Sequence, residues 1–202
     1  MQIHVQQLGK RFNREWIFRN LSYDFFPGKK YALTGANGSG KSTLLQVLMG
    51  SLLHSEGRLL YSNNSKNKIE DPYSFVTIAA PYLDLIEEMT ATEFLNFHLS
   101  FKTLTCSIAE LLETVQLQKA AHKQIRYFSS GMKQRLKIGQ AFFSDSPALF
   151  LDEPTTNLDV EGIQLYARLI EYHTHKRLVI IASNDKQEYH FCDEQISIMD
   201  YK

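Results

Sequence analysis

Residues 35–42 read Gly35-Ala36-Asn37-Gly38-Ser39-Gly40-Lys41-Ser42, which matches the pattern G-x-x-x-x-G-K-[ST] in full. The apolar residues 31–34 before it predict a strand, and residues 42–49 after it predict a helix with Leu44, Leu45 and Leu48 on one face. A strand before and a helix after are the context in which this pattern forms a phosphate-binding loop. A chance Gly-rich turn followed by Lys-Ser is the alternative, but it does not account for the complete motif in that context.

Each residue type in the loop has a physical reason. Glycines let the backbone curl so that successive N–H groups point at phosphate oxygens. The helix that follows adds the positive end of its dipole. The Lys41 ammonium is expected to reach the outer phosphates, and the Ser42 hydroxyl to ligate Mg²⁺.

Two acids follow a second apolar run, residues 148–151. The end of a strand beside a phosphate loop is where ligands bind in open α/β sheets. Asp152 is therefore predicted to hold Mg²⁺, and Glu153 to accept a proton from an attacking water. The acidic pair alone is a weak signal, because surface acids often follow strands, and the upstream loop strengthens it.

The middle of the chain has a helical pattern. Thr90 with Glu93, and Ser107 with Glu110, form two predicted capping boxes, and residues from roughly 85 to 142 read as a helical insertion. Before it, residues 62–71 are polar and are predicted to be an exposed loop.

The strand-rich pattern then resumes. Residues 178–182 predict a buried strand of a parallel sheet, and a helical stripe precedes them at Ile163, Tyr166, Ala167 and Ile170. A β-rich start, a helical insertion and a βαβ-type end imply an α/β core with a helical subdomain.

Composition narrows the function classes. The 202 residues suit one domain, and 22 Lys+Arg balance 22 Asp+Glu, which argues against a general binder of nucleic acid or membrane surfaces. No apolar run approaches the roughly 20 residues that span a bilayer. The sequence starts without a signal-peptide pattern, so Cys106 and Cys192 are expected to be reduced thiols in a cytoplasmic protein.

Two further runs make the chain recognisable. Phe128-Ser129-Ser130-Gly131-Met132 is followed by Lys133-Gln134-Arg135, and residues 152–159 read Asp-Glu-Pro-Thr-Thr-Asn-Leu-Asp. Together with the phosphate loop, in this order and spacing, they resemble the ATP-binding cassette (ABC) ATPase family over nearly the whole chain. The resemblance implies an α/β fold of the P-loop NTPase (RecA-like) class, with a mixed β-sheet core, an N-terminal antiparallel β region and a helical signature subdomain. It also implies one nucleotide-binding domain over residues 1–202.

The family resemblance implies an ATP sandwich. Two cassettes would pair head to tail, so that ATP with Mg²⁺ lies between one phosphate loop, extended to Thr43, and the partner cassette's signature residues Ser129, Ser130, Gly131 and Met132. Asp159 would lie at the dimer contact. Phe12 matches the aromatic residue that stacks on adenine, with a core phenylalanine as the alternative and Trp16 as the second stacking candidate.

The sequence departs from the family at two positions. Pro81 stands where the family has a Gln, and proline offers neither a side-chain amide nor an N–H; Tyr82 or Asp84 could substitute in part. Asn184 stands where the family has a catalytic His, and His190 is a remote substitute. We therefore expect a slow ATPase, in which Glu153 is retained and Asn184 occupies the position of the catalytic histidine.

The resemblance favours an ATP-binding subunit that powers separate transmembrane subunits and lies at the cytoplasmic face of the membrane through them. Two alternatives stay open: a regulator that dimerises on ATP with little hydrolysis, and a non-transport ABC ATPase. The transported substrate and its direction, and the choice between homodimer and heterodimer, cannot be predicted.

Overall fold

The computed structural model describes residues 1–63 and 67–202, and these form two compact units. The first unit comprises Met1–Val76, Ser146–Asp152 and Lys176–Lys202, and the second Thr77–Asp145 and Glu153–His175. A short strand, β5 (Val76–Ala79), runs from the first unit into the second. None of the helices in the described ranges is long and apolar enough to cross a bilayer.

An antiparallel sheet begins the first unit. Its central strand β1 (Gln2–Phe12) pairs with β2 (Glu15–Phe25) on one side and with β4 (Glu56–Ser62) on the other. A tight turn joins β1 to β2, and Asn13 adopts a left-handed φ of 53° there, which Asn tolerates better than most residues. This sheet is the antiparallel β region that the family resemblance implies.

A parallel sheet forms the core of the same unit. Its strands run in the order β6, β7, β3, β8. Their bounds are β3 (Lys30–Thr34), β6 (Ala148–Asp152), β7 (Leu178–Ala182) and β8 (Glu194–Ser197). Every residue of β6 and β7 is buried, as expected for strands covered on both faces. The strands predicted at residues 31–34, 148–151 and 178–182 are confirmed.

Helices and 3-10 turns connect the strands of the first unit. Helix α1 (Lys41–Leu48) begins one residue earlier than predicted and packs against β6 and β7 through its leucine face. Helix α6 (Lys186–Tyr189) follows β7, and a 3-10 turn (Ile198–Tyr201) follows β8. The loop before α1 thus lies at the carboxyl end of the parallel strands, where α/β sheets bind ligands.

The second unit is helical, as its pattern predicted. Its helices are α2 (Ala91–His98), α3 (Ile108–Thr114), α4 (Ser130–Phe143) and α5 (Val160–His173). Both predicted capping boxes form at the starts of α2 and α3. Helix α4 packs against α3 and α5, and Gly139 allows the close approach to α3, because a Cβ there would lie 2.8 Å from Cγ1 of Val115.

Two predictions are wrong in detail. In α5 the predicted Tyr166 and Ile170 are buried, but Ala167 is exposed, because the larger apolar side chains of Leu165 and Leu169 complete the buried face. The predicted exposed loop is also partly packed: Ile69 is buried, and its N–H donates to the Tyr61 carbonyl at 2.9 Å. Residues 64–66 of that predicted loop lie outside the described residues.

Candidate nucleotide site

The phosphate loop leads directly from β3 into α1. Gly40, the residue before the helix, has φ 103°, and no side chain caps the first-turn N–H groups. Those N–H groups therefore keep their capacity to bind an anion, reinforced by the helix dipole. Gly38 is likewise left-handed, with φ 75°. The motif thus forms the loop geometry that its glycines predicted.

Lys41 lies over the loop that precedes it. Its side chain is 5% exposed, and its Nζ donates to the carbonyls of Gly35 at 2.9 Å and Ala36 at 3.2 Å. An ammonium has three donors, so it can exchange one of these carbonyls for a phosphate oxygen and keep the other. The lysine is therefore placed to neutralise a bound polyphosphate.

Asn184 lies beside the loop. It follows the carboxyl end of β7, and its Nδ2 donates to Oδ1 of Asn37 at 2.9 Å. The structure thereby joins the residue at the family's histidine position to the middle of the phosphate motif. His190 ends α6 instead, where its ring bonds the Gln187 carbonyl and contacts Phe191, so these contacts do not support its role as a substitute.

Asp152 and Ser42 provide oxygen atoms suited to Mg²⁺. Asp152 ends β6 and is 2% exposed, and Ser42 lies in the first turn of α1, the helix that packs against β6. A carboxylate and a hydroxyl are hard oxygen donors, and Mg²⁺ binds few protein ligands besides phosphates and water. The residues present therefore fit the metal.

Glu153 has a strained backbone. Its φ is 42°, although it is a non-glycine residue and precedes Pro154, which favours an extended conformation. Such a conformation costs about 1–3 kcal/mol and tends to occur at functional sites. The Thr156 N–H donates to the Glu153 carbonyl at 3.1 Å and supports the turn.

Two aromatic residues lie on the β1–β2 hairpin. Phe12 is 47% exposed, so the alternative of a core phenylalanine is wrong. The Lys10 ammonium lies 4.7 Å from the Phe12 ring centroid. Trp16 is contacted by the guanidinium groups of Arg11 and Arg19, at 5.4 and 4.6 Å. Phe12 therefore offers the more accessible ring for stacking.

The signature residues form a cavity in the second unit. Ser129 caps α4, and its Oγ accepts from the Met132 N–H at 3.2 Å. At Gly131, a Cβ would lie 3.1 Å from the Asn157 carbonyl. The cavity measures about 490 Å³ and is lined by Ser129, Ser130, Gly131, Met132, Arg135, Asn157, Asp159 and Glu161. Within this unit the predicted signature and Asp159 thus share one surface.

An ion pair fixes Asp159. Its carboxylate accepts from the Gly162 N–H at 2.8 Å, which caps α5, and from Arg135 at 2.7 Å. The Gly162 N–H first, and Arg135 second, hold the pKa of Asp159 below its usual value. Arg135 also donates to Gln116. Sequence reasoning missed this pairing because no local pattern links residue 135 to residue 159.

The segment at Pro81 is attached to α4. Lys137 Nζ donates to the Pro81 carbonyl at 3.0 Å and to the Ala80 carbonyl at 3.3 Å. Burial lowers the pKa of Lys137, and the charge of Asp84 opposes that shift. Proline removes the family's amide side chain, but its carbonyl still links this segment to the signature helix.

Comparison with solved structures identifies the fold. A putative ABC transporter ATP-binding protein from Pyrococcus furiosus superposes with a TM-score of 0.82 at 17% identity, and the match covers 100% of both chains. A structure of the ATP-binding subunit of an ABC transporter also gives 0.82, at 24% identity, and covers 98% of this chain and 85% of that chain. At these identities the likeness establishes the α/β fold alone.

Sequence comparison identifies the family. The chain is 32% identical over 188 residues to the cytochrome c biogenesis ATP-binding export protein CcmA of Rhizobium etli, covering 91% of this chain and 87% of that protein. It is 32% identical over 190 residues to the uncharacterized ABC transporter ATP-binding protein YybJ of Bacillus subtilis, covering 92% and 87%. It is 29% identical to the lantibiotic transport ATP-binding protein SrtF of Streptococcus pyogenes, covering 90% and 79%. The family model described as ABC transporter matches residues 18–156, which include the phosphate loop, the signature and the acidic pair. These matches and the loop geometry establish that the chain belongs to the ABC transporter family.

Proposed function

We propose that this chain is the ATP-binding and ATP-hydrolysing subunit of an ABC transporter and that residues 1–202 are one nucleotide-binding domain. The observation that carries the proposal is the complete phosphate loop between β3 and α1, with Lys41 lying over its carbonyls. The names of CcmA and SrtF concern export and transport, which supports a transport role here. The subunit would act at the cytoplasmic face of a membrane through separate transmembrane partners.

Different residues would bind ATP and catalyse its hydrolysis. Loop N–H groups and Lys41 bind the phosphates, while Phe12 stacks on adenine. Ser42 and Asp152 would hold Mg²⁺, which when bound neutralises phosphate charge. Glu153 accepts a proton from the attacking water.

The second half of the site would come from another cassette. In a head-to-tail dimer, Ser129, the neighbouring N–H groups up to Met132, and the positive end of α4 would meet the outermost phosphate of ATP bound to the partner. Asp159, held by Arg135 in the same cavity, would lie at the dimer contact. ATP binding would then close the dimer, and hydrolysis would reopen it.

Turnover in isolation is expected to be slow. Pro81 has no side-chain amide, and Asn184 can donate a hydrogen bond but cannot carry a charge or relay a proton. Loss of one strong transition-state donor costs on the order of 10²- to 10³-fold in rate. The same two replacements favour a second candidate, a regulator that dimerises on ATP and scarcely hydrolyses it.

Steady-state hydrolysis of MgATP by the purified chain tests the proposal and separates the two candidates. We expect slow turnover that both Lys41→Ala and Glu153→Gln abolish. We expect Glu153→Gln, but not Lys41→Ala, to form a dimer with ATP in light scattering. ATP-dependent dimers without turnover would favour the regulator. A chain that neither binds nor hydrolyses ATP would refute both candidates, and turnover of many ATP per second without a partner would refute the expected slow rate.

A further inference from the structure

The end of the chain packs against the phosphate loop. After β8, the 3-10 turn places Ile198 in full burial. A Cβ built on Gly35 would lie 2.9 Å from Ile198 Cγ2, and one on Gly40 would lie 3.4 Å from Ile198 Cδ1. This turn therefore supports the loop from the side of the protein core.

Lys202, the next residue after this turn, bonds to the loop backbone. Its Nζ donates to the Ser39 carbonyl at 2.7 Å and to the Ile17 carbonyl at 2.9 Å. Ile17 belongs to β2 and touches the same part of the loop, since its Cγ2 lies 2.3 Å from a Cβ built on Gly40. The lysine thus connects the loop to the antiparallel sheet within the first unit.

Peptide geometry gives this contact a consequence for anion binding. In a trans peptide the C=O and the following N–H point in opposite directions. Because the Ser39 carbonyl faces the Lys202 ammonium, the Gly40 N–H points away from that lysine. The same bond satisfies a carbonyl that the curled loop directs away from its own N–H groups.

We propose that Lys202 is a positioning residue for nucleotide binding. It fixes the Ser39–Gly40 peptide so that the Gly40 N–H is preorganised for a phosphate oxygen, and it adds a positive charge on the outer side of the loop. It acts through the loop backbone, in contrast to Lys41, which is placed to meet the phosphates itself. The inference rests on the proposed ATP-binding function.

The test measures the equilibrium Kd of MgATP for the whole chain and for its variants. Binding is monitored by the displacement of a fluorescent ATP analogue. We expect Lys202→Met to raise the Kd about tenfold, because the charge-assisted hydrogen bond that holds the Ser39 carbonyl is lost. Lys202→Arg should restore most of the affinity. Lys176→Met is the matched control: it removes one exposed charge just before the amino end of β7, whereas the phosphate loop follows the carboxyl end of β3, and its Kd should equal that of the unmodified chain.

Thermal unfolding without nucleotide separates positioning from general support. A positioning role predicts a changed Kd with nearly unchanged Tm and nearly unchanged kcat at saturating ATP. An unchanged Kd in Lys202→Met, or a lower Tm with an unchanged Kd for the folded protein, would overturn the inference. Should Lys202→Met fail to fold, Lys202→Ala also removes both the donor and the charge, and a Kd equal to that of the unmodified chain would then overturn the inference. If the unmodified chain binds no ATP, the proposed function fails together with the inference. If it binds ATP and the Lys202 variants bind it with the same Kd, only the inference fails.

Discussion

Replacing Gly40 by alanine would put a methyl group into space that Ile17 already occupies. The Cβ would lie 2.3 Å from Ile17 Cγ2, whereas carbon atoms prefer about 3.5–4.0 Å. The φ of 103° adds a second cost, because side-chain-bearing residues rarely adopt it. A left-handed conformation costs about 1–2 kcal/mol, and overpacking a core costs about 1–3 kcal/mol. We therefore expect Gly40→Ala to lower the free energy of unfolding by about 2–5 kcal/mol.

Urea unfolding followed by circular dichroism, without nucleotide, measures this loss. A chain of this size loses about 2–4 °C in Tm for each kcal/mol, so the melting temperature should fall by about 10 °C. Gly38→Ala is the matched control, because Gly38 also has a left-handed φ, 75°, but nothing lies within 4 Å of its built Cβ. It should lose only the conformational part, about 1–2 kcal/mol.

A double-mutant cycle isolates the clash itself. Ile17→Ala removes the Cγ2 atom that the new methyl group would meet, so in that background Gly40→Ala should cost about as much as Gly38→Ala. The packing argument is wrong if Gly40→Ala and Gly38→Ala cost the same in the unmodified chain. It is equally wrong if Ile17→Ala leaves the cost of Gly40→Ala unchanged.

Three further predictions concern Asn184, His98 and Asp159. Asn184→His should raise kcat for ATP about tenfold or more by restoring a chargeable donor, with Kd for ATP within about twofold; an unchanged kcat in the hydrolysis assay would contradict it. Burial, with a smaller contribution from Lys102, lowers the pKa of His98 below its ordinary 6.5. As pH falls, His98 therefore takes up a proton at a higher pH in the unfolded chain than in the folded one. The free energy of unfolding should then decrease as pH falls through 6.5, and His98→Gln should reduce this pH dependence in urea titrations. Asp159→Ala should destabilise the protein by about 1 kcal/mol through loss of the α5 cap, whereas Asp159→Asn, which can still cap, should cost less in the same assay; equal losses would contradict this.

Local sequence patterns predicted the main elements of the fold. The capping boxes of α2 and α3 form as expected, since a cap involves residues only a few positions apart. The apolar runs 148–151 in β6 and 178–182 in β7 could be predicted equally well, because strands buried on both faces show no alternation of apolar and polar residues. The buried face of α5 was predicted correctly at Tyr166 and Ile170 but not at Ala167, because periodicity alone did not show that Leu165 and Leu169 complete that face.

The same difference between local patterns and distant contacts applies to the residues of the candidate site. The phosphate motif could be predicted because one contiguous stretch supplies both its chemistry and its backbone shape. The contacts of Asn184 with Asn37, of Arg135 with Asp159 and of Lys202 with Ser39 could not, because each joins residues far apart in the chain.

By itself, the sequence determined the loop, its capacity for phosphate, the strands and helices with strong local patterns, and the family. Only the tertiary structure decided which distant side chains hold that loop and the signature turn in place. The physical reason is range: helix caps and glycine conformations depend on neighbours along the chain, whereas each of these hydrogen bonds exists only after the unit that contains it has folded.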